Sequence, residues 1–113
     1  MQYNLSEIKV KAGRTIKLTL THAGVMEKAA MGHNFVLLKA GTDVAAFASK
    51  AMNAAATDYI PASEKGSVIA HTKTVGGGGS DSIEFAAPAP GTYDYFCSFP
   101  GHSSIMKGKL IVE

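Results

Sequence analysis

The chain has 113 residues, 46% of them hydrophobic and 18% charged, with a formal net charge of +2. That length suits one domain with a single core, expected over residues 1–113 and large enough to fold without disulfide staples. Eleven basic against nine acidic side chains is too even for a nucleic-acid binder, no apolar run nears the roughly 18 residues of a membrane span, and a lone cysteine excludes an intrachain disulfide.

Ile8 and Val10 alternate with polar neighbours up to a turn at Ala12-Gly13. Ile16, Leu18 and Leu20 then recur at period two, with Lys17, Thr19 and Thr21 on the other face, and the same alternation puts His22 on the apolar side. Residues 33–38 form a near-continuous apolar run ending at Lys39-Ala40-Gly41, as in a strand buried on both faces. Val44, Phe47, Ala48, Ala51, Met52 and Ala55 follow helical spacing. They predict a short amphipathic helix capped by Thr42 or Asp43, packed through Phe47 and Met52, and stopped before Pro61. Residues 68–75, 82–87, 92–97 and 107–112 supply further strands, punctuated by Pro88, Pro90 and Gly91. Residues 76–80, four glycines and a serine, read as a flexible hairpin connection with no side chain for chemistry. Many short strands with regular turns imply an all-β sandwich or barrel with one inserted helix.

The chemistry concentrates in Cys97-Ser98-Phe99-Pro100-Gly101-His102-Ser103-Ser104-Ile105-Met106, a loop between two strands. Thiolate and thioether are soft donors that select copper(I), and imidazole suits both copper oxidation states. A second imidazole, His33 in Met31-Gly32-His33-Asn34, heads the apolar strand, where a lone polar ring is costly without a partner. Two nitrogens and a thiolate in one plane with a weak axial thioether make the ligand set of a blue-copper electron-transfer centre. Taken singly, a buried cysteine is a small hydrophobe and a methionine a gap-filler; their joint occurrence on this loop favours a metal. Zinc would accept Cys97, His33 and His102 but has little use for Met106. A catalytic Cys-His pair needs a thiolate exposed to substrate, whereas Cys97 closes the Tyr93, Tyr95 alternation and should face inward.

Met31-Gly32-His33-Asn34, Val68-Ile69-Ala70-His71-Thr72-Lys73, and the stretch from Cys97 to Met106-Lys107-Gly108 together resemble the azurins, bacterial cupredoxins, over nearly the whole chain. The resemblance implies a Greek-key β-sandwich with one short inserted helix and a type 1 copper centre that shuttles single electrons as copper(II)/copper(I). It implies His33, Cys97 and His102 as equatorial ligands, Met106 as axial ligand and the Gly32 carbonyl as a second weak axial contact. Asn34 would brace the ligand loops and Ser98 would lie just outside the ligand set, with backbone N–H groups including that of Phe99 directed at the Cys97 sulfur. Leu20, Phe35, Phe96 and Phe99 would form an apolar shell. Met26, Ala30, Met31, Phe99, Pro100 and Ile105 would surround an exposed edge of His102 as a docking patch. His22 and His71 would be non-ligand histidines, His22 lending the potential a mild pH dependence. Azurins carry a disulfide near the N-terminal end that this chain lacks, and Pro90-Gly91-Thr92-Tyr93 is also similar to the auracyanins of photosynthetic bacteria.

The resemblance further implies a periplasmic monomer, Met1 standing in place of a leader or membrane tether. Its redox partners would be c-type cytochromes or a copper or haem reductase. With no open ligand position for substrate, it is expected not to be an enzyme. The alternatives are a protein that stores or delivers copper without redox turnover and a zinc-loaded structural domain.

Overall fold

In the computed structural model, which describes residues 2–25 and 28–113, strands with period-two burial divide into two sheets. The larger sheet has five strands: β1 (Glu7–Val10), β3 (Val36–Leu38), β4 (Val68–His71), β6 (Gly91–Phe96) and β7 (Lys107–Val112), in the order β1-β7-β6-β3-β4. β1 runs parallel to β7, with Ile8 opposite Leu110, and the other pairs are antiparallel. The smaller sheet pairs β2 (Thr15–Thr21) with β5 (Ser80–Ala86), Leu18 facing Ile83 across the ladder. The Ala12-Gly13 turn, with Gly13 at φ +79°, carries the chain from one sheet to the other. Glycine reaches that left-handed conformation without the Cβ clash of other residues.

β3 is buried on both faces, as its unbroken apolar run predicts. Phe35 and Leu37 meet Tyr93, Tyr95, Leu110 and Val112 between the sheets, while Val36 and Leu38 pack on Phe47, Ala51, Ile60 and Phe96 beneath the helix. That helix, α2 (Val44–Ala51), starts where Asp43 accepts the Ala46 N–H at 3.1 Å. It ends sooner than its periodicity suggests. The Ala54 N–H turns back to the Ala51 carbonyl at 3.0 Å, and a 3₁₀ turn follows at Ala55–Thr57. Such i→i+3 bonds tighten a helix end and rotate the next residues off the apolar face, so Met52 is exposed at 57% instead of packed. A single helical turn, α1 (Lys28–Met31), is too short for a sequence period to reveal, and a second 3₁₀ stretch covers Ala62–Ser67.

Two features position the site. The glycine run is pinned rather than loose: the His22 N–H donates to the Gly79 carbonyl at 2.9 Å and the Gly78 N–H to the His22 carbonyl at 2.9 Å. A Cβ on Gly77 would lie 2.6 Å from the Gly24 oxygen and from Val25 backbone atoms, so this close approach demands glycine. On the other side, no strand among the described residues lies along the second edge of β2. A cavity of about 800 Å³ opens there between β2 and residues 2–5, reaching Phe35, His33 and Met106. This leaves Ile16, Leu18 and Leu20 only partly buried. The N-terminal segment is tied down across the gap by the Tyr95 hydroxyl donating to the Leu5 carbonyl at 2.6 Å and the Tyr3 hydroxyl donating to the Asn34 carbonyl at 2.5 Å.

Candidate metal centre

Three segments converge at one end of the sandwich. His33 is held by a two-way bridge, its N–H donating to the Val75 carbonyl at 3.0 Å and its carbonyl accepting from Val75 at 2.8 Å. Cys97 leaves the end of β6, and its N–H donates to the Met106 carbonyl at 2.9 Å. The intervening loop closes on His102: its N–H donates to the Phe99 carbonyl at 3.1 Å, and its carbonyl accepts from Met106 at 2.8 Å. Gly101, at φ +82°, makes the turn beside it.

The His33, Cys97 and His102 donor atoms all lie within 4.8 Å of one another. Cys97 Sγ sits 3.6 Å from His102 Nδ1, the spacing of two donors that share an ion about 2.0–2.3 Å from each. His33 Nδ1 is buried with no hydrogen-bond partner among the described residues. A buried polar nitrogen without a partner is costly and calls for an explanation, and an ion between the three donors supplies one. Met106, 1% exposed, packs with Cys97 and Phe99. Two imidazoles, a thiol and an adjacent thioether fit a soft-to-borderline metal.

The family model for copper-binding proteins of the plastocyanin/azurin family matches residues 1–113. The chain belongs to that family. It is 50% identical to an azurin of Achromobacter denitrificans over 115 residues, covering 97% of this chain and 76% of the relative. Outer membrane protein H.8 of Neisseria gonorrhoeae is 42% identical over 97% of this chain, which spans 61% of that protein. Among solved structures, the dithionite-reduced auracyanin of Roseiflexus castenholzii superposes with a TM-score of 0.86 at 40% identity, covering 99% of this chain and 87% of that one. The fold is the cupredoxin β-sandwich, and the protein is a type 1 copper electron-transfer protein.

In this azurin-family site the thiol is set among opposing influences. Burial pushes the Cys97 pKa up, while the N–H groups of Asn34 and Phe99 pull it down. The Asn34 N–H lies 3.5 Å from Sγ. Asn34, fully buried, also links the two ligand segments: its Oδ1 accepts from the Ser98 N–H at 2.8 Å and its Nδ2 donates to Ser98 Oγ at 2.8 Å. Gly32 stands where a Cβ would lie 2.7 Å from Thr74 Cγ2 and 2.8 Å from the Lys28 carbonyl. Gly32→Ala is therefore expected to destabilise the metal-free protein by about 1–3 kcal/mol, read by chemical denaturation; an unchanged midpoint would contradict this packing.

The other expected residues are distributed unevenly. Of the four proposed shell residues, Phe99 packs with Cys97 and Met106, Leu20 and Phe35 line the cavity beside His33, and Phe96 lies under the helix against Phe47 instead. The reason is the β6 alternation, which sends Phe96 to the helix face. His102 is only 4% exposed, with the Phe99 ring tilted against it, centroids 4.8 Å apart. Of the expected docking residues, Ile105 is 54% exposed, Ala30 is exposed, Met31 and Pro100 are half-buried, and Phe99 lies mostly beneath the surface at 8%. Met26 is outside the described residues. His71 is exposed, its ring nitrogen 2.9 Å from the Thr72 carbonyl.

His22 is buried and stacks on His33, centroids 4.1 Å apart with planes 15° apart. Its Nδ1 accepts from the Gly24 N–H at 3.0 Å, so Nε2 carries the proton and donates to the Met31 carbonyl at 2.7 Å. Period-two alternation indicated that His22 faces inward; nothing in the sequence indicated that it would stack on His33.

Burial, with smaller contributions from His22 and His102, lowers the His33 pKa from 6.5 to about 4, and burial also lowers that of His102. Protonation thus favours the unfolded chain. The stability contributed by neutral His33 is complete above about pH 6.5 and is lost as pH falls through about 4. The melting temperature of metal-free protein is expected to drop across that window, and His33→Asn should flatten the drop. A profile that His33→Asn leaves unchanged would contradict this assignment.

Proposed function

We propose that residues 1–113 form one electron-carrying domain in which His33, Cys97 and His102 hold a single copper ion, with Met106 and the Gly32 carbonyl as weak axial donors. The observation that carries this reading is the buried, unpartnered His33 Nδ1 within 4.8 Å of the Cys97 and His102 donors. The buried Met106 thioether beside Cys97 favours copper over zinc. Bound copper supplies a one-electron couple between copper(II) and copper(I).

The chain's own residues keep that couple fast. Asn34 and Ser98 lock the two ligand segments together, so the donors move little when the charge changes. Cys97 loses its proton on metal binding, and the Asn34 and Phe99 N–H groups favour the thiolate that remains. Phe99 and Met106 pack against Cys97, and with four side-chain donors and the Gly32 carbonyl assigned to the ion the reading leaves no open ligand position, which supports a carrier rather than an enzyme.

Exposed Ile105 and Ala30, with Met31 and Pro100, form the patch through which redox proteins such as c-type cytochromes or a copper or haem reductase dock near His102. Small interfaces of this kind release quickly. The protein works as a monomer in the periplasm; attachment at the outer membrane is the second possibility, supported by the name of the Neisseria relative. No helix among the described residues is long and apolar enough to cross a membrane. Stopped-flow oxidation of the reduced protein by a c-type cytochrome tests the patch. Ile105→Glu and Ala30→Glu should slow transfer roughly tenfold or more with the potential unchanged. Equal rates in the variants would refute it.

A further inference from the structure

Beyond the ligands and Asn34, the strained segment after the 3₁₀ turn stands out. Asp58 and Tyr59 are consecutive non-glycine residues with positive φ, 55° and 61°. Aspartate tolerates this left-handed region moderately, but for a bulky aromatic residue it is an outlier that surrounding contacts must hold. Asp58 has left-handed helical angles, φ 55° and ψ 34°, and Tyr59 shares its positive φ, which together set the direction of the Asp58 and Tyr59 carbonyls.

Those carbonyls reach different ligand segments. The Asp58 carbonyl accepts from Asn34 Nδ2 at 3.0 Å, beside His33, and from Thr74 Oγ1 at 3.3 Å, next to the Val75 partner of His33. The Tyr59 carbonyl accepts from Ser98 Oγ at 2.8 Å, beside Cys97. The Asp58 carboxylate accepts the Thr74 N–H at 3.1 Å, and Lys28 Nζ lies 3.9 Å from it. The Tyr59 ring meets Phe99 edge-on at 5.1 Å. The segment's own N–H groups return to the preceding turn: Tyr59 to Ala54 at 2.8 Å and Asp58 to Ala55 at 3.3 Å.

We propose that Asp58 is a positioning residue: with Tyr59 it forms a left-handed clip that sets the spacing between the His33 segment and the Cys97 segment, acting through Asn34, Thr74 and Ser98. The inference rests on the reading of His33 and Cys97 as ligands. The clip has two separable parts, the backbone conformation that aims the 58 and 59 carbonyls and the carboxylate that holds Thr74.

Amide hydrogen exchange in the metal-free protein separates them. Asp58→Ala disfavours the left-handed conformation and removes the carboxylate. Exchange at Ser98 and Thr74 should then speed at least tenfold more than at Leu37 in the core. Asp58→Asn tolerates the conformation and keeps a side-chain oxygen for Thr74, so it should restore both amides. Asp58→Gly keeps only the backbone part, so Thr74 should lose protection while Ser98 retains it. In copper-loaded protein, Asp58→Ala should change the intensity ratio of the thiolate-to-copper absorption bands, and Asp58→Asn should not. Ser98 exchange moving only in step with Leu37, or not at all, would overturn the proposal. If Asp58→Ala fails to fold, the glycine variant decides: Thr74 alone losing protection supports the clip, and both amides or neither moving overturns it. Failure of the wild-type protein to take up copper would instead defeat the ligand reading and leave the exchange result standing.

Discussion

Asn34→Ala is expected to lower the melting temperature of the metal-free protein by on the order of 15 °C, from a loss of about 3–5 kcal/mol. The amide is fully buried and uses both ends: Oδ1 accepts the Ser98 N–H, and Nδ2 donates to Ser98 Oγ and to the Asp58 carbonyl. Truncation strands the Ser98 N–H in a site closed to water. Ser98 Oγ would keep only the Tyr59 carbonyl, and the Asp58 carbonyl only the Thr74 hydroxyl. Each buried group left without a partner costs roughly 1–3 kcal/mol, and the space left by the side chain adds to that. Copper-loaded protein should suffer as well, because the same amide links the segments that carry His33 and Cys97. Calorimetry of the metal-free form checks the prediction, and a shift of only a few degrees would show that the loops hold together without this side chain.

Cys97→Ser is expected to abolish the intense visible absorption of the copper-loaded protein and to weaken copper binding by more than the ~10–100-fold typical of losing a partner outside the ligand set. In the proposed copper centre the thiolate is the source of the charge-transfer band and the softest donor. The fold should survive. Cys97 is free of any disulfide, and a serine hydroxyl can occupy the same buried position facing the Asn34 N–H. The metal-free variant should unfold within ~2 kcal/mol of the parent. Absorption spectroscopy and chemical denaturation on one preparation separate the two effects. A Cys97→Ser protein that stays intensely coloured would show that the sulfur is not the chromophore's donor.

What was legible in the sequence follows from what local pattern encodes. Period two marked β1 and β2, whose residues alternate between exposed and partly buried. The unbroken run at Phe35 to Leu38 marked a strand covered on both faces, since both parities were apolar. The Cys97–Met106 loop announced itself because a thiol, an imidazole and a thioether rarely share one loop between strands.

The illegible parts are those set by tertiary contact. α1 is one turn long and leaves no period. The end of α2 depends on i→i+3 bonds that no residue between Met52 and Ala55 signals. The left-handed conformation of Asp58 and the positive φ of Tyr59 go with hydrogen bonds to Asn34, Ser98 and Thr74 that no local pattern encodes. A tyrosine there would not be chosen on local preference. Residues 76–80 looked like slack chain on composition, yet Gly77 is required by the backbone of Gly24 and Val25, 2.6 Å from where its Cβ would be. Phe96 is expected in the apolar shell of the metal, but adjacent strand residues face opposite ways and it packs under the helix against Phe47.

Titration of metal-free protein with a cupric salt, followed by visible absorption, tests the central claim most directly. An intense band toward the red end of the spectrum should grow linearly, saturate at a single copper per chain, bleach on one-electron reduction and return on reoxidation. A protein that remains colourless with Cys97 still reduced, or whose colour does not respond to reductant, would contradict a redox-active copper held by His33, Cys97 and His102.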